Sequence, residues 1–299
     1  MNSKFFCFIT LLSLLTVRTF AAGNTETDSK DSKNRDLRIL SWNIYMLPPI
    51  APVVGRVDRA HAIVDTLEHS GFDIIVFQEA FNHRAVKVIR DSLAAIYPYM
   101  YGPFNPRKNP FQISSGVWVI SKIPLDLKGT IEYKIAKETD RVARKGAALL
   151  EGSWNGKKFQ IIGTHLQAQN HPDIRNLQIR HMYDSLIIKY RVEGVPQIIC
   201  GDMNTEIEIQ KNYRAMLKGL DAEDGAISGT QTMTYDGTNN ALALSVWKKD
   251  KTTLDYILLR RNGTHTNVIN RHVGVFKRTW KKGHTDLSDH YAMACEVKF

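Results

Sequence analysis

Cysteine is scarce in this chain: three residues in 299, at positions 7, 200 and 295. Cys7 falls in an apolar leader, so only Cys200 and Cys295 belong to the body of the protein, each inside a strand-like apolar run. Buried free thiols are the first expectation for both. A disulfide stays open as the second, because spacing carries no geometry. Long apolar runs are missing as well. The leader's apolar stretch, residues 5–17, has 13 residues, short of the roughly 20 that a membrane helix needs. Residues 37–299 contain no internal repeat, low-complexity tract or Pro/Gly/Ser linker, which argues against a repeat array and for a single domain.

The ends and the charge say more. Lys4, the apolar stretch and Thr19-Phe-Ala-Ala22 have the order of a secretory signal peptide over residues 1–22; a buried core helix is the other reading. The first reading predicts a secreted protein, extracellular or periplasmic after cleavage. Residues 23–36 are polar and charged, and are expected to form a disordered lead. The formal charge is +10, and +8 once Lys4 and Arg18 are removed. Such a balance favours an anionic partner: a phosphate ester, a membrane surface or a nucleic acid.

Six apolar runs are each bounded by a residue suited to water, metal or phosphate. Residues 37–43 end at Asn43, 73–79 at Glu79, 161–165 at His165, and 198–204 in Asp202 and Asn204; Asp255 lies inside 254–259, and Asp289 and His290 open 288–293. Runs of four or more apolar residues have the length of a buried strand. One polar strand end means little; six are hard to assign to packing alone. Ala60, Ile63, Val64 and Leu67 recur at the i, i+3, i+4, i+7 spacing of a helix over 57–70. Further helices are predicted over 83–96, 172–190 and 206–217, and strands over 115–120, 147–152, 159–165, 197–201, 254–259 and 291–297. Hairpin-spaced strands mixed with helical crossovers predict an α/β fold: a four-layer α/β sandwich of two mixed β-sheets packed face to face and flanked by helices.

Glu79 is open to two readings, a metal ligand at a sheet edge or an acid at the N-terminus of the next helix. Asn43 ends the preceding strand in the same way and tilts the balance toward an oxygen-rich site suited to Mg²⁺. His165, taken alone, reads first as a satisfied core histidine. Asp202 and Asn204, two apart beyond a buried run, point to one side and can both reach one phosphate; a plain Asx turn is the rival. Asp255 inside a strand is costly to bury without a partner. A histidine partner would explain it, and the acid would hold that imidazole as a general base. In residues 288–290 an imidazole, His290, adjoins a carboxylate, Asp289.

The strings Trp42-Asn-Ile-Tyr-Met-Leu-Pro48, Phe77-Gln-Glu-Ala-Phe81, Asp140-Arg-Val-Ala-Arg-Lys-Gly146, Gly163-Thr-His-Leu-Gln-Ala168, Gly201-Asp-Met-Asn204, Leu254-Asp-Tyr256 and Ser288-Asp-His290 resemble, in that order, the endonuclease/exonuclease/phosphatase superfamily. They are most similar to its bacterial neutral sphingomyelinase branch, over residues 37–299. The resemblance implies a DNase I-like sandwich and a secreted phosphodiesterase dependent on Mg²⁺, with other divalent cations possible. The substrate it implies is sphingomyelin or a related phosphosphingolipid, cleaved to ceramide and a phosphorylated head group. By the same resemblance Glu79, supported by Asn43 and with His290, holds the metal. His290 is the general base oriented by Asp255, and Asp202 and Asn204 position water and phosphate. His165 stabilises developing charge or assists the leaving alkoxide with Asp140 as its orienting partner, and Asp289 completes the polar ring. Lys145 is either a further phosphate contact or a solvated strand-end lysine.

Two departures stand out. His83 occupies the position four residues after Glu79 where the branch often carries Asn, which puts a second metal position in doubt. The aromatic hairpin of the haemolytic members is replaced by residues 276–283, short and basic, with Phe276 and Trp280 among four cations. That segment reads either as a lipid-touching surface or as a solvated loop. The expected partners are thus the substrate and, peripherally, a membrane surface, with no nucleic acid and a monomeric chain. A secreted nuclease or phosphoinositide phosphatase on the same site is the alternative. A binding protein or toxin subunit without turnover is a third reading, and the complete set of acids and histidines argues against it.

Overall fold

The computed structural model describes residues 35–243 and 250–299; the expected signal peptide and nearly all of the polar lead lie outside the described residues. Fifteen strands are β1 (Leu37–Met46), β2 (Ile74–Ala80), β3 (Tyr99–Tyr101), β4 (Trp118–Ser121), β5 (Asp126–Glu132), β6 (Gly146–Trp154), β7 (Lys157–His165), β8 (Gln197–Asp202), β9 (Tyr235–Asp236), β10 (Lys251–Thr252), β11 (Asp255–Arg260), β12 (Asn267–Gly274), β13 (Lys277–Lys281), β14 (His284–Asp286) and β15 (Ala292–Lys298). Among the described residues four α-helices join them: α1 (Arg56–Leu67), α2 (His83–Leu93), α3 (Pro172–Met182) and α4 (Gln210–Leu220).

The strands form two large mixed sheets, ordered β12-β15-β1-β2-β4-β3 and β11-β8-β7-β6-β5, with small ladders β9–β10 and β13–β14. Only β1–β2 and β7–β8 pair in parallel within the two large sheets. Alternation along each central strand explains the continuous apolar runs. Leu37 and Ile39 of β1 face a core shared with Ile161, Ile198 and Ile257 of the other sheet, whereas Leu40, Trp42 and Ile44 face a second core under α1 and α2. In the second sheet Ile162, Ile199 and Leu258 turn outward to a third core that includes Ile179 of α3 and Leu220 of α4. Sheets covered on both faces have no polar face to show in sequence. The result is the expected four-layer sandwich. Each fully buried aliphatic side chain in these cores contributes about 1.5–3 kcal/mol relative to exposure.

The sheets approach closely where side chains are small. A Cβ on Gly163 would stand 3.0 Å from Val76 and from Val117 of the facing sheet, tighter than ordinary contact.

Helix ends differ from the periodicity reading for local reasons. α1 begins beyond Gly55, which has φ 66°, and α2 is capped by the Asn82 side chain accepting from the Ala85 amide at 3.1 Å. The helix expected over 172–190 changes register at Tyr183–Ile187, a π-helical turn. The helix expected over 206–217 starts and ends later, as α4. Strands β5 and β12 gave no apolar-run signal because they lie at sheet edges and carry mixed polar sequences. Cys200 and Cys295 are free thiols buried in the core between the sheets.

Candidate active site

Register gathers the polar strand ends. His165 of β7 pairs with Asp202 of β8, and Asp202 pairs with Asp255 of β11, so the three stand in a row across adjacent strands. They continue the inter-sheet faces of Ile161, Ile198 and Ile257, and the site is therefore the polar end of the space between the sheets. From the other sheet come Asn43, which pairs with Gln78, and Glu79 just beyond. By alternation Glu79 should face the helices with Ile75 and Phe77; its φ of 56° breaks that alternation. A left-handed non-glycine residue is strained, and such strain collects at functional sites.

The loop before β15 is fixed to β1 by two bonds, and a third ties the loop to itself. Ser288 Oγ donates to Asn43 O at 2.6 Å, the His290 amide donates to Ser288 Oγ at 3.2 Å, and Trp42 Nε1 donates to His290 O at 3.0 Å. From α1 the buried Arg59 guanidinium donates to the carbonyls of Ile44, Tyr45 and Leu287, stapling the same two segments. The Tyr235 and His290 rings meet edge to face with their centroids 5.3 Å apart. Arg59, Ser288 and Tyr235 carry no strand-end signal, and sequence reasoning gave them no role.

Asp255 Oδ2 lies 2.8 Å from His290 Nδ1, and both residues are buried. Burial alone would lower the His290 pKa, but Asp255 and then Asp202 outweigh it and raise it well above the ordinary histidine range. The other ring nitrogen, Nε2, is 3.9 Å from Asp202 Oδ2. That oxygen also accepts from Asn43 Nδ2 at 3.0 Å and lies 3.4 Å from His165 Nε2. Burial works against the Asp202 charge, yet the two imidazoles hold its carboxyl below the usual range.

Lys145 is buried rather than solvated. Its ammonium donates to Asp140 Oδ2 at 2.8 Å and Leu166 O at 3.0 Å, and stands 3.1 Å from His165 Nε2. The expected Asp140–His165 contact is thus corrected: Lys145 intervenes, and Asp140 accepts from Lys145 and from the Ala168 amide. Burial first, then Lys145, lowers the His165 pKa to about 4, so the ring is neutral at neutral pH. The Asx turn also forms. The Asn204 amide donates to Asp202 Oδ1 at 2.9 Å, while Asn204 Nδ2 donates to Leu166 O at 3.1 Å.

The Glu79 side is built differently. Glu79 Oε2 is enclosed and accepts no hydrogen bond, and Asp255 Oδ1 is likewise without a donor. Burial and then Asp289 raise the Glu79 pKa to about 8, and burial raises Asp289 too. Enclosed carboxylates without donors fit a cation, and an all-oxygen set with one imidazole nearby fits a hard divalent ion. Among the described residues, Asp202, Asp255 and His290 have donor atoms within 4.8 Å of one another. Asn43 Oδ1 already accepts from the Tyr45 amide at 3.1 Å. His83 is exposed, as the first residue of α2.

Residues 276–283 belong to a hairpin of β13 and β14 rather than to a free loop, with Phe276 and Trp280 half-buried: the Phe276 ring centroid lies 5.1 Å from that of Trp42, and Trp280 Nε1 donates to Asp286 O at 2.9 Å.

This fold, with its polar row at one end of two packed sheets, defines a class. Residues 40–290 match the Endonuclease/Exonuclease/phosphatase family, and the chain belongs to it. Within the family it is 29% identical over 291 residues to Sphingomyelinase C 2 of Leptospira interrogans serogroup Icterohaemorrhagiae serovar Lai, covering 87% of this chain and 46% of that protein. The chain spans about half the length of the curated Leptospira relatives it matches. It superposes on beta toxin from Staphylococcus aureus with a TM-score of 0.79 at 25% identity, covering 87% of this chain and 99% of the toxin chain. A mutant of that toxin with bound magnesium ions superposes at 0.76 and 24% identity, covering 88% and 100%.

Proposed function

We propose that residues 37–299 are a single catalytic domain that hydrolyses sphingomyelin or a related phosphosphingolipid to ceramide and a phosphorylated head group. The observation that carries this reading is the Asp255–His290 pair set against Asp202 and facing an enclosed, donor-free Glu79. The relatives' names, Sphingomyelinase C among them, support the substrate class. The basic chain and the leader at residues 1–22 support export and peripheral contact with a membrane surface.

In-line attack on a phosphodiester needs a proton acceptor for water, compensation for charge developing on the phosphoryl oxygens, and a proton for the leaving alkoxide. Asp255 fixes His290 with Nε2 toward Asp202, and in the neutral form of the ring, which a cation held nearby would favour, this nitrogen takes the proton from water. Asp202, held by Asn43 and by the Asn204 amide, orients that water. Lys145 supplies fixed positive charge beside His165, a neutral ring that can hydrogen-bond the alkoxide as its bond to phosphorus breaks, the alkoxide then taking its proton from solvent water. Glu79, with Asn43 beside it, would hold Mg²⁺, which when bound neutralises charge on the phosphate.

The test is product release by the purified chain from sphingomyelin, phosphatidylcholine and plasmid DNA, with and without EDTA. Ceramide release that EDTA abolishes is the expected result. Cleavage of DNA alone would replace the lipid reading with a nuclease.

A further inference from the structure

Exposed apolar side chains are ordinary when scattered and informative when they gather. Among the described residues, the two large apolar side chains left most open are Ile50 at 93% and Phe111 at 87%. Both lie in loops at the end of the sheets where the polar row sits. Ile50 follows β1, and Phe111 belongs to the connection from β3 to β4, on the side where Phe77 of β2 pairs with Trp118.

Phe111 is held out by its own turn. Asn109 O accepts from the Gln112 amide at 3.3 Å and Asn109 Oδ1 from the Phe111 amide at 3.0 Å, so the ring stands at the tip of a tight turn through Pro110. The base of this loop is anchored to the β5–β6 connection. The Ile113 amide donates to Val142 O at 2.9 Å and the Arg144 amide to Ile113 O at 3.2 Å, while Asn105 Nδ2 donates to Ile131 O at 2.8 Å and to Arg144 O at 3.1 Å. The second connection leaves Val142 half open at its own tip. It also carries Lys145, whose ammonium stands 3.1 Å from His165 Nε2, so the apolar rim and one wall of the site are a single piece of structure.

The charge around these tips is mainly positive. Arg107 and Lys108 precede Phe111, Lys134 and Arg141 flank Val142's connection, and all four are exposed. The acids beside them are engaged: Glu132 accepts from the Arg144 guanidinium, and Glu138 lies 2.7 Å from His171 Nε2.

These features sort the partners. A polyanion such as a nucleic acid would engage the cations and leave Phe111 and Val142 in water. A bilayer uses both, since aromatic rings settle at the headgroup level and cations are drawn to anionic head groups.

Resting on the function proposed above, which places the substrate in a membrane, we infer that the rim formed by the tips of the β3–β4 and β5–β6 connections docks on a bilayer containing anionic lipid, with Phe111 inserted among the head groups. The contact is made at this rim rather than at the β13–β14 hairpin.

The experiment is sedimentation of the purified chain in EDTA with vesicles of phosphatidylcholine, alone or with added phosphatidylglycerol, and without sphingomyelin. Wild type should bind the mixed vesicles about tenfold more tightly than phosphatidylcholine alone, a preference lost in high salt and in Arg107→Gln with Lys108→Gln. Phe111→Ser should weaken binding to the mixed vesicles about tenfold, and Phe111→Trp should preserve it. An exposed side chain at a turn tip can be exchanged without disturbing a core, so these variants should melt like wild type. Val192→Ser, an exposed apolar residue before β8 at the other end of the sheet, should bind as wild type does. Wild type that does not sediment overturns the inference, as does Phe111→Ser that binds as tightly as wild type, or Val192→Ser that loses as much. Retention of plasmid DNA by wild type and Phe111→Ser alike, without vesicle binding, replaces the bilayer with a nucleic acid.

Turnover separates this inference from the reading beneath it. Phe111→Ser should release ceramide about tenfold more slowly from vesicles and at the wild-type rate from detergent-dispersed sphingomyelin; equal loss on both overturns the docking role. If wild type releases no ceramide from either, the proposed function fails, and sedimentation still decides the rim.

Discussion

Asp202 and Glu79 lie at the same end of the same sandwich, yet their surroundings drive them in opposite directions. Asp202 is held by Asn43, the Asn204 amide and two imidazoles, and its carboxyl falls below the usual range. Glu79 has one enclosed oxygen without a donor and Asp289 as a like-charged neighbour, and its pKa rises to about 8. Burial is common to both, so partners decide the sign. The Asp202 carboxylate has its partners within the protein. On the function proposed above, a cation would complete the Glu79 side.

The strongest way to break this contrast is at the self-sufficient half. His290→Ala should lower kcat by about 10²–10⁴-fold with little change in KM, measured by ceramide release from a variant that melts like wild type. Loss of less than tenfold would remove the proton-acceptor role.

At the other half, Glu79→Gln should cost at least about a hundredfold in activity, together with the response to added Mg²⁺. The same change should stabilise the cation-free protein near neutral pH by about 1 kcal/mol, because on folding Glu79 must take up a proton or keep a charge without donors, and the amide need do neither. Melting in EDTA distinguishes the two halves, since replacing a well-partnered acid such as Asp202 by Asn should destabilise. A Glu79→Gln protein that melts lower than wild type in EDTA would contradict the account.

Asp255→Asn keeps the shape but loses the charge beside His290, and a drop of about ten- to a hundredfold is expected. Its pH–rate profile should shift to lower pH, as the imidazole loses the partner that raises its pKa. The smallest effect belongs to the thiols. Because Cys200 and Cys295 are free and buried, reductant should leave the melting temperature unchanged; a downward shift would reveal a disulfide.

Much of the sandwich was legible because its central strands are buried on both faces and end in polar residues. Asn43, Glu79, His165, Asp202 and Asp255 announce themselves by interrupting apolar runs, and the strand register then aligns them. What was not legible depends on contacts between distant segments. Lys145 looks like any strand-end lysine until the turn carrying Leu166 closes over it. Phe276 and Trp280 sit among lysines and arginine and read as surface, yet a short hairpin folds them onto Trp42 and Gly55. Neither strand of that hairpin is long enough to show a period. Arg59 lies on a helix whose apolar stripe is plain, but its reach to three carbonyls follows from where α1 docks.

The glycine between the sheets acts as a spacing gauge. Asn43 and Glu79 come from one sheet and His165, Asp202 and Asp255 from the other, so on the function proposed above the gap that the substrate phosphate would span is set by how closely the sheets lie. At Gly163 that clearance leaves a methyl group 3.0 Å from two valines. Gly163→Ala would therefore act as a shim, moving the two halves of the site apart by tenths of an ångström without altering a single reacting group. A carrier of that change would keep every signature residue and a folded protein and still turn over slowly, so a defect in such a lineage need not lie in its motifs.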